Sequence, residues 1–437
     1  MKSAVSTAIL AGLLNMAVPA IAQDQASGNG TSHQGGPAVN STVFYSEHIK
    51  AVTSVTEVFG RSQRLTAVIA EYDAPIANAL LEPAQFTVAD RNILRVYAND
   101  RAEKAGSGRD GAFVVIELDP EDAAAPVFAP GIDQPAQAIV SQVQPVTTVV
   151  GESYAPIGTA LINTRQVNLI VDDFRQFRFD DPEIGLVLNY NLFIPEDYDP
   201  AQKYPLVLFM HDAGVTGTNP LRVLEQGLGA VSFASPEDQA RHPAFVLAPQ
   251  YPVPLANDAS QISVYADMTV RLIEMLAGQY NLDRDRLYAT GQSGGCMTSI
   301  ALNIRYPDLF AASLLVAGQW DPELVAPMAQ DKLWVIVAED DAKAHPGMNA
   351  IMDVLEQNGA GITRAEWDGR ASQEEFAAAV DAIRSEGAGS NVYYVTFRKG
   401  TVIPEGESNA AAAGHVNTWP IAYDIPGVRD WLFEQSR

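Results

Sequence analysis

The hydrophobic and polar positions follow two different patterns along the chain. Between residues 42 and 171, short runs alternate apolar and polar residues and are separated by turn residues. Such alternation is typical of strands with one buried face. It predicts a small β-sandwich with strands over residues 52–59, 65–72, 93–97, 112–118, 146–150 and 166–171. Residues 121–144, rich in Ala and Pro, are predicted to form a long surface loop.

From residue 172 to residue 437, continuous apolar runs alternate with segments of helical spacing. Continuous apolar runs indicate strands buried on both faces, as in a mostly parallel sheet flanked by helices. The predicted strands cover residues 186–194, 205–210, 245–249, 287–290, 312–317, 333–338 and 392–397. The predicted helices cover residues 265–279, 296–305, 349–357, 374–383 and 428–433. The fold class is therefore α/β in this part.

One short segment joins a predicted strand to a predicted helix and carries candidate chemistry. Residues 291–295 read Gly-Gln-Ser-Gly-Gly and fit the pattern G-x-S-x-G. A strand, this turn and a helix in that order form the nucleophile elbow of the α/β-hydrolase fold, in which the serine hydroxyl points out of the sheet. Glycines are expected on either side of the serine because a side chain there would strike the neighbouring strand or helix. We predict Ser293 as the nucleophile.

A nucleophilic serine needs a base and a carboxylate that orients the base, and in this fold both follow the serine along the chain. His345 and His415 are the two histidines after Ser293. His415 follows the last predicted strand and is the expected base, whereas His345 is expected at the surface. Asp341 lies in the loop after the strand over residues 333–338 and is preferred as the acid over Asp340.

The oxyanion that forms during acyl transfer needs N–H donors, one from the residue after the nucleophile and one from a loop after an early strand. The first is Gly294. For the second we expect Ala213, with Gly214 as the alternative. Asp212 departs from the glycine that many α/β-hydrolases have at this position, and its carboxylate either opposes the oxyanion or points away and fixes the loop. His211, at the strand end, is expected to be structural.

Composition and charge exclude some classes of partner. The chain has 437 residues, of which 47% are hydrophobic and 19% charged, as in a globular protein of two domains. The formal net charge of −25 argues against nucleic acid and anionic membrane as partners. No metal site or phosphate-binding loop is predicted, and no cofactor is expected. Cys296 is the single cysteine and is expected to be a buried packing residue.

The N-terminus has the pattern of a secretory signal peptide. Lys2 precedes an apolar stretch over residues 8–18, and Ala20-Ile21-Ala22 fits a cleavage site. We expect cleavage after Ala22, followed by a disordered linker over residues 23–41. The sandwich then covers residues 42–171 and the catalytic domain residues 172–437. No later apolar run approaches the length of a membrane span, and the expected location is secreted or periplasmic.

With these motifs assembled, the chain resembles the secreted α/β-hydrolase esterases that carry an N-terminal immunoglobulin-like domain. More loosely, it resembles the polyhydroxybutyrate-depolymerase and feruloyl-esterase-like branch. The segments that carry the resemblance are residues 56–59, 114–120, 190–195, 203–211, 282–295 and 306–312. The resemblance implies ester hydrolysis through an acyl-enzyme with Ser293 as nucleophile, Asp341 as acid and His415 as base. Many relatives have Met at the position of Gly294, so this chain has more room beside the acyl site.

The leading hypothesis is a serine carboxylesterase for small or aryl esters, with a small-molecule or polymeric ester as substrate. A serine peptidase of the same fold would use the same triad. A non-catalytic binding protein on a hydrolase scaffold is a third hypothesis, which Asp212 favours. The sequence does not predict the oligomeric state or the role of the sandwich.

Overall fold

The structure is a computed structural model that describes residues 47–406 and 412–437. The predicted signal peptide over residues 1–22 and the predicted linker over residues 23–41 lie outside the described residues. Within the described ranges, no helix has both the length and the apolar character that a membrane crossing requires.

The N-terminal part contains twelve strands in the residues that the structure describes, two of them long and most of the others short. They are β1 Ile49–Phe59, β2 Ser62–Ile76, β3 Phe86–Val88, β4 Ile93–Asn99, β5 Gly111–Leu118, β6 Pro126–Ala129, β7 Ile132–Asp133, β8 Ile139–Gln142, β9 Val146–Thr147, β10 Ser153–Tyr154, β11 Leu161–Ile162 and β12 Arg165–Asn168. The main sheet has the order β12-β1-β2-β5-β4, with β6 and β7 extending from β2, and a smaller sheet has the order β11-β8-β3. Val68 of the main sheet and Val140 of the smaller sheet share one buried core, which makes this part a sandwich.

The predicted surface loop over residues 121–144 is wrong. This stretch contains β6, β7 and β8, and Val127 and Val140 within it are buried. The strands are only two to four residues long, so an alternating pattern has no length over which to become visible in the sequence. The strand predicted over residues 146–150 is also shorter, because only Val146–Thr147 pairs with β10.

The C-terminal part is organised around one nine-stranded sheet. Its strands are β13 Arg175–Asp181, β14 Leu186–Phe193, β15 Tyr204–Met210, β16 Phe245–Gln250, β19 Leu282–Gln292, β20 Ala312–Val316, β21 Leu333–Ala338, β22 Ile362–Trp367 and β23 Val392–Phe397. A separate hairpin is formed by β17 Ala256–Asn257 and β18 Gln261–Ile262. The order is β13-β14-β16-β15-β19-β20-β21-β23-β22. The strands from β16 to β22 in this order are parallel, whereas β13 and β14 pair antiparallel.

Helices cover both faces of this sheet. They are α1 Arg222–Glu225, α2 Leu228–Val231, α3 Pro236–Arg241, α4 Val264–Gln279, α5 Gly294–Arg305, α6 Ala344–Gln357, α7 Gln373–Glu386, α8 Ala413–Tyr423 and α9 Pro426–Phe433. Alternate residues of β15 enter opposite cores: Val207 belongs to the core that includes residues of α1, α7 and α9, and Leu208 belongs to the core that includes residues of α4. The predicted fold class, an α/β-hydrolase fold preceded by a small β-sandwich, is confirmed.

The sandwich and the catalytic part meet at the β1–β2 turn. A Cβ atom on Gly227 would lie 2.6 Å from the carbonyl oxygen of Gly60 in that turn, so the two backbones pack directly. Arg222 forms an ion pair with Asp133 at 2.5 Å. β12 belongs to the main sheet of the sandwich and β13 to the nine-stranded sheet. The domain boundary after residue 171 remains a prediction.

Candidate active site

Ser293 lies in a sharp turn between β19 and α5. Its backbone has φ 52° and ψ −118°, a left-handed conformation that non-glycine residues rarely adopt. A Cβ atom on Gly295 would lie 1.9 Å from the carbonyl oxygen of Met210, and one on Gly291 would lie 2.5 Å from the backbone of Gly295. The two glycines are therefore required because β15, β19 and α5 approach one another without room for a side chain.

The structure brings the predicted Ser293, His415 and Asp341 together. His415 Nε2 lies 2.9 Å from Ser293 Oγ, and His415 Nδ1 lies 2.5 Å from Asp341 Oδ2. Ser293 follows the end of β19, Asp341 lies in the loop after β21, and His415 lies in the first turn of α8. Imidazole between a hydroxyl and a carboxylate is the arrangement in which the ring can accept the hydroxyl proton.

The alternative acid Asp340 and the other candidate histidine His345 both lie outside this contact network. Asp340 accepts a hydrogen bond from the Gly400 N–H, and His345 contacts Asn349 at 3.2 Å on the first turns of α6. Neither contact involves Ser293.

Several groups determine the charge state of Asp341, which is 3% exposed. Burial by itself would raise the pKa of the carboxyl, but the hydrogen bond and charge of His415 and the N–H groups of Ala344 and Lys343 hold the pKa below its ordinary value. The Ala344 N–H lies 2.9 Å and the Lys343 N–H 3.1 Å from Asp341 Oδ1. Asp341 is therefore an anion with both oxygens bonded, one of them to the imidazole.

His415 lies in α8, a helix that was not among the predicted elements. A Cβ atom on Gly414 would lie 2.5 Å from the backbone of Asp340, so a glycine lets the first turn of the helix approach the acid loop. The ring of Trp419, one turn further along α8, lies 5.3 Å from the His415 ring in an edge-to-face arrangement. The helix therefore delivers both the imidazole and an aromatic neighbour to the site.

The predicted oxyanion donors Ala213 and Gly294 lie beside each other. The Ala213 nitrogen is 3.8 Å from the position that a Cβ atom would take on Gly294, and no other atom approaches that position more closely. Gly294 is the first residue of α5, where backbone N–H groups have no helical carbonyl to bond. The alternative donor Gly214 gives its N–H to Asp212 Oδ1 at 2.7 Å.

Sequence reasoning missed the role of Gln292, the residue between the first glycine and the serine of the G-x-S-x-G segment. Its Nε2 donates to Asp212 Oδ2 at 3.0 Å, and the side chain is 3% exposed. The contact joins β19 to the loop after β15, and no local pattern in the sequence indicates it.

His211 is bonded at both ring nitrogens and makes no contact with the serine. Nδ1 lies 2.7 Å from the carbonyl oxygen of Asp212, so it carries the proton, and Nε2 accepts from the Tyr251 N–H at 3.0 Å. Burial lowers its pKa, which keeps the ring neutral. His211 therefore anchors the loop that contains Ala213.

Cys296 is fully buried and burial raises the pKa of its thiol, so it is an inert packing residue in α5. In the described part of the chain, no group of three or more His, Cys, Asp or Glu side chains could hold a metal ion.

Comparisons with known proteins identify the family to which this chain is related. The family model for the esterase immunoglobulin-like N-terminal domain matches residues 51–155. A solved structure of a thermostable esterase shares 30% sequence identity with a TM-score of 0.77, over 89% of this chain and 100% of that chain. A search of curated protein sequences found no significant match.

A more distant likeness concerns a ferulic acid esterase from the anaerobic fungus Anaeromyces mucronatus. It shares 13% identity with a TM-score of 0.37, over 57% of this chain and 91% of that chain. This overlap carries no argument about the chemistry of the present site.

Proposed function

Because the chain belongs to the esterases that carry an immunoglobulin-like N-terminal domain, we propose that it hydrolyses carboxylic esters through a Ser293–His415–Asp341 triad. Family membership makes it an ester hydrolase. The observation that supports the serine mechanism is the position of His415, whose ring lies 2.9 Å from the serine oxygen and 2.5 Å from the carboxylate.

In the first half of the proposed reaction, Ser293 Oγ attacks the carbonyl carbon of the ester while His415 Nε2 takes the hydroxyl proton. Negative charge moves to the carbonyl oxygen, where the N–H groups of Ala213 and Gly294 stabilise it. Asp341 stabilises the imidazolium. When the tetrahedral intermediate collapses, His415 returns the proton to the departing alcohol, and the acyl group remains on Ser293.

In the second half, water replaces the alcohol. His415 removes a proton from the water as its oxygen attacks the acyl carbon, and the second tetrahedral intermediate releases the carboxylic acid. The proton returns to Ser293 Oγ, so the triad is regenerated and the net reaction is ester plus water to acid plus alcohol. Beyond α5 and its chain neighbours, a Cβ atom on Gly294 would meet only the Ala213 nitrogen, at 3.8 Å. This open position beside Ser293 supports small or aryl esters as substrates.

Replacement of the nucleophile tests the proposal. In Ser293→Ala, we expect the kcat for p-nitrophenyl butyrate to fall by about 10³-fold or more, because no other group can form the acyl-enzyme. Fluorophosphonate labelling should disappear as well. Ser299→Ala is the matched control, since Ser299 lies in α5, the helix that follows Ser293, and bonds the Gly295 carbonyl. This variant should keep both the turnover and the labelling. Wild-type turnover by Ser293→Ala would refute the proposal, and failure of the wild-type protein to label would favour a binding protein instead.

We also propose export from the cytoplasm, with removal of the N-terminal segment after Ala22. The support is the sequence pattern of Lys2, the apolar stretch and the Ala-Ile-Ala site. Expression in a bacterial host followed by N-terminal sequencing of the periplasmic and secreted fractions should give a chain that begins at Gln23. A full-length chain found only in the cytoplasm would contradict the proposal.

A further inference from the structure

Asp212 places a carboxylate in the loop that contains the proposed oxyanion donor Ala213. The residue is 6% exposed, and each of its oxygens has a partner. Oδ1 accepts from the Gly214 N–H at 2.7 Å, and Oδ2 accepts from Gln292 Nε2 at 3.0 Å. A buried carboxylate is tolerated only when such bonds replace its hydration, so the loop and the end of β19 are built to receive this anion.

These bonds fix the two peptide groups on either side of Ala213. The carbonyl of the Asp212–Ala213 peptide is held by His211 Nδ1 at 2.7 Å. Because a trans peptide directs its C=O and N–H to opposite sides, the Ala213 N–H then points away from His211. The next N–H, that of Gly214, is held by the Asp212 side chain. Ala213 thus has little freedom to rotate either flanking peptide.

We propose that Asp212 and Gln292 are positioning residues that hold the Ala213 N–H in place for the developing oxyanion; this inference rests on the proposed function. Gln292 directly precedes Ser293, so its bond to Asp212 ties the strand that presents the nucleophile to the loop that presents the donor. The two halves of the reaction centre follow β15 and β19, which pair as far as Met210 and Gly291, and this side-chain contact links the two segments beyond the last paired residues.

An opposite expectation follows from charge alone. A carboxylate close to a developing oxyanion would disfavour the transition state, so disturbing Asp212 should speed the reaction. If the residue instead acts as a clamp, disturbing it should slow the reaction, because a donor that is displaced stabilises less charge. Outright loss of one oxyanion donor costs about 10²–10³ in kcat. The sign of the effect therefore separates the two accounts.

Gln292→Glu breaks the contact from the side of β19, because it sets a second carboxylate against Asp212 Oδ2. We expect kcat for p-nitrophenyl butyrate to fall by at least about tenfold, with KM changed by less than about twofold, since the donor acts mainly in the transition state. Adding Asp212→Asn restores a donor–acceptor pair with reversed polarity, and the double variant should recover most of the lost kcat. A wild-type kcat in Gln292→Glu, or no recovery in the double variant, would overturn the proposal.

Asp212→Ala decides between the two accounts, because it removes the carboxylate: charge alone predicts a higher kcat and the clamp predicts a lower one. It frees the Gly214 N–H and should lower kcat to a similar extent, again with little change in KM, while a kcat at or above the wild-type value would overturn the clamp. Circular dichroism and thermal unfolding establish that each variant is folded at the assay temperature. A purely structural role would lower the unfolding midpoint without lowering kcat per folded molecule.

Asp199 and Gln202 at the surface provide a control for the contact between Asp212 and Gln292. Asp199 Oδ1 accepts from the Ala201 N–H at 2.9 Å, and its Oδ2 lies 3.5 Å from Gln202 Nε2. Gln202→Glu therefore makes the same chemical change beside the same kind of turn and should leave kcat unchanged.

If Ser293→Ala is inactive while Gln292→Glu has the wild-type kcat, only the clamp fails. If Ser293→Ala is fully active, the proposed function itself fails.

Discussion

Ser293 combines a strained backbone with a hydrogen-bonded side chain. A non-glycine residue in a left-handed conformation costs about 1–3 kcal/mol and persists only where the surroundings impose it. Here β19 and α5 impose it, and the hydroxyl is presented to the His415 ring at 2.9 Å. The conformation is therefore part of how the site is assembled, since an unstrained turn would direct the hydroxyl elsewhere.

The pH dependence of stability should report on Asp341. Its pKa is lower in the folded chain than the ordinary value of about 3.9. The group therefore stabilises the fold at pH above that ordinary value, and the contribution is lost as pH falls through the folded pKa. In Asp341→Asn, we expect the free energy of unfolding at pH 6 to be lower by about 1–2 kcal/mol.

Urea unfolding of the wild type and Asp341→Asn at pH 6 and pH 2.5 measures this difference. The gap between the two proteins should be smaller at pH 2.5, because the contribution of the carboxylate declines as the pH falls below the ordinary value of about 3.9 towards the lower folded pKa. A gap that stays constant over this range would contradict the assignment of Asp341 as a carboxylate held by hydrogen bonds in the folded chain.

At the scale of residues, the sequence predicted the groups that local motifs and chain order identify. Ser293 follows from its glycines, and Asp341 and His415 follow from their positions after two successive strands of the predicted sheet. Gln292 could not be found in this way. Its partner Asp212 is 80 residues distant in the sequence, and a glutamine has no characteristic spacing from the residue that it bonds.

At the scale of elements, long segments with regular spacing were predicted well and α8 was not. The strands Leu333–Ala338 and Val392–Phe397 match the structure to the residue. The helix Ala413–Tyr423 contains Gly414 and Pro420 and has apolar residues on all sides. Without an amphipathic stripe, and with two residues that disfavour helices, the segment looks like a loop in the sequence.

The contact between α5 and β15 makes a prediction about two adjacent glycines. In Gly295→Ala the new methyl group would lie 1.9 Å from the Met210 carbonyl oxygen, and relief of that overlap requires movement of the backbone. We expect the free energy of unfolding to fall by about 1–3 kcal/mol. Gly294→Ala is the control for stability, because its nearest atom lies at 3.8 Å.

Urea unfolding with a common fluorescence readout measures both variants. Gly294→Ala should be as stable as the wild type or slightly more stable, since alanine favours the helix by about 0.5–1 kcal/mol. Equal losses in the two variants would mean that β15 and α5 are not as closely packed as described.

At the scale of the whole molecule, the sequence predicted two parts of different architecture but not the order of their strands. β22 precedes β23 in the chain, yet β23 lies between β21 and β22 in the sheet. β23 is a buried strand of mostly apolar residues, whereas β22 reads Ile-Thr-Arg-Ala-Glu-Trp and is partly exposed. Because β22 was not among the predicted strands, its place at the edge of the sheet could not be predicted either. The direct packing of Gly60 on Gly227 was equally invisible, because two glycines give no hydrophobic signal.

Because Cys296 is buried, the folded protein has no native thiol that would react with a labelling reagent. It is the single cysteine of the chain and is wholly buried, so maleimide reagents have no native target on the folded protein. A cysteine introduced on the solvent side of the sandwich and another near the mouth of the catalytic cleft would accept a donor and an acceptor fluorophore. Energy transfer between them would then follow, in real time, any change in the spacing of the two parts as substrate is consumed.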